Sequence, residues 1–390
     1  MKTLHYILIS FISLFMNLFA QSLAQENKSI SINWTVAGSI AGSNEQTVAL
    51  GVAGPIAGVH NNVLLIGGGC NFPGTMPWRG GIKQYYNDLY IYTKDKTGNL
   101  DLVFLTKLPY PVGYAASCAT AKGVVLAGGE NGTGMLDKAL LLQWNRSKQN
   151  IEIRNLPNLP FPVTNASLAA SGNTVYLAGG ETALSTTDQF LTLDLNDITA
   201  GWKVLSPIPH PVSHSVLAVQ PGGESSAVYL IGGRKKNSNG ISDLYASVYA
   251  YNPSENQWKQ KQDLPYPLSA GAGMASGTEK ILLFGGDIGE TFHKTEELIA
   301  AINQEKDTTK KERLNQKKIQ IQSSHPGFSN QVLQYSTVTG QWLKLQSVPF
   351  TMPVTTVACR WGNDVIIPSG EIKAGVRTPQ ILLGKICNRR

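Results

Sequence analysis

One pattern recurs six times along the 390-residue chain and limits its fold more than any other feature. An apolar run ending in paired glycines occurs as VLLIGGG at Gly67-Gly68, VVLAGGE at Gly128-Gly129 and VYLAGGE at Gly179-Gly180. It returns as VYLIGGR at Gly232-Gly233 and ILLFGGD at Gly285-Gly286, and a sixth copy, VIIPSGE, carries Ser369-Gly370 instead. Successive copies lie 61, 51, 53, 53 and 84 residues apart, a period of about fifty with one large insertion. A proline marker follows each of the first five: LPYP (108–111), LPFP (159–162), IPHP (208–211), LPYP (264–267) and VPFTMP (348–353). Trp202, Trp258 and Trp342 each stand seven residues before the first proline of their marker. Self-similarity at such a period is the signature of an array of supersecondary units. The segments before the glycine pairs, among them GYAASCATA and AGAGMASG, are rich in small residues, as strands crowded around an axis must be. Asn61-Asn62, Gly172-Asn173 and Gly362-Asn363 are tight-turn signals leading into the next strand.

These markers resemble the kelch repeat, whose unit is a four-stranded propeller blade. The expectation is an all-β, six-bladed kelch-type β-propeller, in keeping with 39 Gly and 20 Pro. The sixth blade runs out of chain after one strand near Gln380–Ile386. SISINWTVAG, with Trp34, looks like the outer strands elsewhere, so residues 30–37 are expected to complete the blade begun at Val354. Such closure leaves no open sheet edge. The 84-residue interval holds a strongly helix-forming stretch, His293–Ser324, with Leu298, Ile299 and Ile302 as an apolar stripe and Asp307 as a cap for a second helix. It is an insertion in the fifth blade, either decoration or a lid.

The N-terminus reads as a secretory signal, residues 1–24: Lys2, an apolar run from Tyr6 to Ala20, then a small-residue site ending at Ala24. Residues 25–390 then form a single propeller domain, exported and periplasmic or secreted. Four cysteines, Cys70, Cys118, Cys359 and Cys387, have neither the spacing of a disulfide framework nor a CxxC metal site. The formal charge of +7 is partly gathered in Lys310, Lys311, Arg313, Lys317 and Lys318, a pattern suited to a solvated helix face rather than to nucleic acid.

In a repeat fold the residue after each glycine pair falls at an equivalent place: Gly69, Glu130, Glu181, Arg234, Asp287 and Glu371. Five of the six are charged in a chain only 15% charged overall. For Glu130, Glu181, Arg234 and Asp287 the simplest role is bonding a neighbouring blade; substrate contact is the alternative. Glu371 differs because Gly375 permits a tight turn that returns Arg377 toward it. On spacing alone the pair is either an exposed salt bridge, worth ~0–1 kcal/mol, or part of a site.

The blades and this loop together resemble the secreted sialic acid mutarotases, or N-acetylneuraminate epimerases. Their motif is similar to Gly370-Glu371-Ile372-Lys373-Ala374-Gly375-Val376-Arg377-Thr378, and they too insert helices in the preceding blade. The motif blade is last here, so the chain resembles a cyclically permuted branch of that family. The resemblance implies an isomerase that exchanges the anomers of a sugar acid without cofactor or metal. It also implies Glu371 as acid/base and Arg377 as carboxylate ligand. Arg79, in the polar loop GGGCNFPGTMPWRGGIKQYYNDLYIY, is a further candidate for substrate contact. The competing reading is a non-catalytic kelch platform for glycan or protein, using Phe72, Trp78, Tyr85 and Tyr86 as exposed aromatics. A copper-radical oxidase would need a compact Tyr/His/Cys set, which the scattered histidines do not offer.

Overall fold

The computed structural model describes residues 30–42, 49–220 and 226–388, so the signal reading at residues 1–24 lies outside the described residues. Six four-stranded antiparallel blades surround an axis, the first with a short additional strand. In each, the second strand is buried along nearly its whole length: Val63–Asn71, Gly123–Ala127, Thr174–Ala178, Ala227–Ile231, Lys280–Phe284 and Asp364–Pro368. Each blade lies between two neighbours, so both faces of these strands are covered. That explains why they read as continuous apolar runs and not as alternating ones. The outer strand Leu100–Lys107, by contrast, is largely exposed.

Closure occurs as the sequence implies. Ile30–Ser39 pairs antiparallel with Gln380–Asn388, which pairs with Asp364–Pro368 and through it Cys359–Trp361. The tryptophan markers stitch blades together, the indole N–H of Trp202, Trp258 and Trp342 donating to the carbonyls of Pro157, Ser206 and Gln262 in the preceding blade. Trp34, the corresponding residue of the sixth blade, packs edge-on against Phe284, but its buried indole nitrogen has no partner.

The glycine pair has two causes. The first glycine is left-handed (φ 63° at Gly68, 69° at Gly128, 58° at Gly232), and an added Cβ would stand 2.3–2.4 Å from a carbonyl of the next blade. The second glycine donates its N–H to that same carbonyl, from Gly69 to Val112, Gly129 to Val163, Gly180 to Val212 and Gly233 to Leu268. This register corrects the first repeat: its pair is Gly68-Gly69, and the residue that follows is Cys70, not Gly69. In the sixth blade Ser369 holds the left-handed position (φ 51°). Its buried hydroxyl accepts from the Val52 N–H and lies within bonding distance of the carbonyls of Val52 and Thr378. Gly370 still donates to Val52. The break in the pattern is thus a polar staple across the closing seam.

The insertion comprises two helices, Glu290–Gln304 and Thr308–Ser323, between the second and third strands of the fifth blade. It begins a few residues earlier than expected. Asp307 caps the second helix by accepting from Lys310 N–H, and Lys310, Lys311, Arg313 and Lys317 are exposed. Of the expected apolar stripe Leu298 is buried, whereas Ile299 is exposed. All four cysteines are free.

Replacing Ser369 with Ala leaves the Val52 N–H without its partner and should lower stability by about 1–3 kcal/mol. Urea denaturation measures it, and an unchanged midpoint would remove the hydroxyl from the closure.

Candidate functional site

On the loop face of the ring, Gly54, Tyr114, Asn165, His214, Ala270 and Thr355, one from each blade, form a closed circle of backbone hydrogen bonds. Each N–H donates to the carbonyl of the preceding member at 2.8–3.1 Å, and Gly54 closes the circle onto Thr355. All six are left-handed, with φ between 50° and 63°. Beside this circle lie the residues that follow the glycine pairs, each bridged to the residue just before a ring member: Cys70 to Ala53, Glu130 to Gly113, Glu181 to Thr164, Arg234 to Ser213, Asp287 to Ser269 and Glu371 to Val354. A cavity of about 360 Å³ extends from the ring along the small residues of the inner strands, including Ala57, Ala116, Ala169 and Ala272. The chemistry lies above its rim.

Glu371 and Arg377 are opposed on a two-stranded hairpin. The turn at Gly375 (φ 71°) packs against Pro77 and Trp78, and its N–H donates to Glu371 Oε1 at 2.8 Å. Arg377 Nη2 stands 3.5 Å from Glu371 Oε2, and the arginine side chain is only 4% exposed. Its Nε and Nη1 are buried without a protein partner. The Phe72 ring centre is 5.0 Å from the guanidinium carbon. Burial opposes the Arg377 charge, but Glu371 and the Tyr114 hydroxyl favour it, and its pKa lies above the usual arginine value. This is no exposed salt bridge. It is a buried guanidinium with two idle donors, and that is costly unless something negative completes it.

Around this hairpin gather groups from the first two blades. The Tyr114 side chain extends over Gly54, where a Cβ would come within 2.6 Å of its ring. Burial raises the Tyr114 phenol well above its usual pKa, with Cys70 and Glu371 adding to the effect. Glu130 accepts from the Tyr85 hydroxyl at 2.5 Å and from Lys83 at 3.2 Å. Glu181 and Arg234 belong to a second cluster. Glu181 accepts from the Ser213 hydroxyl at 2.8 Å, and Arg234 Nη2 lies 3.3 Å from His214 Nε2 and 3.8 Å from Glu181. Phe292 of the first inserted helix covers the Arg234 guanidinium at 4.6 Å. The same helix reaches the fourth blade through Glu296 and His293, bonded to Ser242. Asp287 accepts from Gly289 N–H at the start of that helix. Arg79 is exposed on the short turn Pro77–Arg79, whose Pro77 and Trp78 pack against Gly375.

The aromatics expected to be an exposed docking surface are engaged instead. Phe72 covers Arg377, Trp78 abuts Gly375, Tyr85 bonds Glu130, and Tyr86 bonds Asn71. Sequence reasoning missed Tyr114 and His214. The signal was present: Tyr114, Asn165, His214 and Ala270 each stand three residues after the second proline of a marker.

Residues 156–390 match the profile of the N-acetylneuraminate epimerase family. The chain belongs to that family. Among curated N-acetylneuraminate epimerases it is 30% identical to one from Haemophilus influenzae over 230 residues, 59% of each chain. It is 26% identical to one from Brucella melitensis over 234 residues, 59% of this chain and 58% of that one. The chain thus spans about three fifths of the length of the curated relatives it matches. The matched stretch carries the third to fifth blades, all of the sixth except its outer strand Ile30–Ser39, and with them the hairpin of Glu371 and Arg377.

His60, His210, His214 and His325 all have pKa values below the usual histidine value of 6.5, chiefly because burial disfavours the imidazolium; at His214 the Arg234 charge adds to this. The unfolded chain therefore takes up protons that the folded one refuses, and stability should fall as pH drops below about 6.5, by at most about 1.4 kcal/mol per pH unit for each histidine. Denaturation midpoints near pH 7.5 and about pH 5.5 check the sign, and His214→Asn should flatten the slope.

Proposed function

We propose that this chain is a mutarotase that interconverts the α and β anomers of N-acetylneuraminic acid, with Glu371 as the acid/base and Arg377 as the carboxylate ligand. The observation that carries the reading is the Arg377 guanidinium, with Nε and Nη1 unpaired beside Glu371. A buried guanidinium with unpaired N–H groups suits a carboxylate, and its charge does not titrate away. Family membership supports the same substrate class.

The chemistry follows from the substrate. Its anomeric carbon bears a carboxylate, a hydroxyl and the ring oxygen. With the carboxylate on Arg377, the Glu371 carboxylate removes the proton of the anomeric hydroxyl as the bond from the anomeric carbon to the ring oxygen breaks; the electron pair of that bond passes to the ring oxygen, which takes up a proton in the same step and gives it back on reclosure. Rotation exposes the other face of the new carbonyl, and reclosure returns the proton from Glu371. The Gly375 N–H and Arg377 hold the Glu371 carboxylate in one orientation, which limits the reorganisation the reaction requires. The Phe72 ring lies 5.0 Å from the guanidinium carbon, where it helps to hold the charge in place. The signal-like stretch at residues 1–24, Lys2 followed by the apolar run Tyr6 to Ala20, supports an exported enzyme.

Proton NMR of freshly released α-N-acetylneuraminic acid tests this. The wild type should accelerate conversion to the β anomer, Glu371→Gln should lose about 10²–10⁴-fold in rate, and Arg377→Ala should chiefly raise KM. No acceleration by folded wild type would reject the reading.

A further inference from the structure

Left-handed backbone at the six ring positions is cheapest for Gly and tolerable for Asn, residues that stand at Gly54 and Asn165. A bulky Tyr at φ 55° is a conformational expense, and its side chain must be used elsewhere to be kept. Tyr114 reaches across Gly54 toward the Glu371–Arg377 hairpin, so the absent side chain of one ring member makes room for the next. Its hydroxyl lies near enough to the Arg377 guanidinium and the Cys70 thiol to bear on the ionisation of both. Cys70 itself is fully buried, so it holds the phenol and does not meet substrate. Lys83 Nζ lies 5.0 Å from the centre of the Tyr114 ring.

We propose that Tyr114 is a second catalytic residue of this site, the donor that protonates the ring oxygen while Glu371 deprotonates the anomeric hydroxyl. The inference builds on the mutarotase reading. Both oxygens are substituents of the one carbon that also carries the carboxylate. Seating that carboxylate on Arg377 therefore brings both to the groups near the guanidinium, Glu371 and Tyr114. Ring opening requires one proton off and one proton on. As the bond from the anomeric carbon to the ring oxygen breaks, its electron pair passes to the ring oxygen, which takes the Tyr114 proton. The hydroxyl proton passes to Glu371, and a carbonyl forms. The transient phenolate is left beside Arg377 and Lys83, two cations that stabilise it. Reclosure reverses both transfers, so no proton or electron is gained or lost overall. The neutral, buried phenol is a donor throughout the neutral range.

Tyr114→Phe removes only the hydroxyl and keeps the ring over Gly54. Its kcat for anomer exchange should fall about 10²-fold, with KM within about twofold of wild type and an unchanged thermal melt. A merely structural tyrosine that positions Arg377 would raise KM instead. That result, or a kcat within about threefold of wild type, overturns the assignment while leaving the mutarotase reading standing. If wild type itself does not accelerate the exchange, both fall together.

Discussion

The circle of six backbone hydrogen bonds at the loop face is the constraint on which the rest depends. Each blade contributes one N–H and one carbonyl to it, so no blade can shift along the axis without breaking two bonds. Buried backbone groups without partners are costly, which makes the circle an all-or-none element. It also forces left-handed backbone at each member, and the residue before each member is bridged to the residue that follows a glycine pair. Scaffold and site are therefore one construction: the atoms that close the ring also fix where Cys70, Glu130, Glu181, Arg234, Asp287 and Glu371 begin.

That coupling puts conformational preference and chemistry in competition at the same positions. Where only backbone geometry matters, Gly or Asn would fill the circle. Four members depart from that, and two of these, Tyr114 and His214, are drawn into charged clusters, one around Arg377 and one around Glu181 and Arg234. The His214 side chain is only 8% exposed, hemmed by Ser213 and Arg234 with Phe292 over the latter. Of the inserted helices, the first thus presses on the second cluster, while the second packs by the short turn Pro77–Arg79, which abuts Gly375 of the Glu371 hairpin. Their first helix docks through Ser242 on the fourth blade, which gives the insertion a structural attachment at the mouth.

Much of the fold was legible because a repeat repeats its physics. Glycine pairs, small inner strands and the Trp–Pro spacing each report a contact between blades, and a contact repeated from blade to blade leaves similar marks, three of them for the tryptophans. The N-terminal strand was legible through Trp34 and the shortage of chain after Thr378. The Glu371–Arg377 pair could be read because it departs from the repeat. What stayed hidden was contact across blades without a common residue type: Tyr114 over Gly54, Phe72 over Arg377, Phe292 over Arg234. Such pairs depend on which blade follows which and on side-chain reach, and spacing within one repeat carries neither. The exposed-aromatic surface failed for the same reason, since a ring beside a buried charge gains from covering it. The first-blade register slipped because VLLIGGG holds three glycines, and only backbone angles tell which two make the turn.

Ser369 explains why closure and chemistry share a blade. Its hydroxyl ties Val52, the entry to the first blade, to Thr378, the last residue of the Glu371 motif. The strand that follows Thr378, Gln380–Asn388, is the one that Ile30–Ser39 covers. The hairpin carrying Arg377 is thus held at its root by the seam that joins the two ends of the chain. A buried, incompletely paired guanidinium tends to pull such a hairpin toward solvent, and a frayed seam would let it go. Placing the chain ends in this blade, where pairing is densest, and exchanging a glycine for a serine with three backbone contacts both oppose that pull. The serine's left-handed strain is the smaller term, because a buried charged site that opens loses its orientation, and orientation is most of what this chemistry requires.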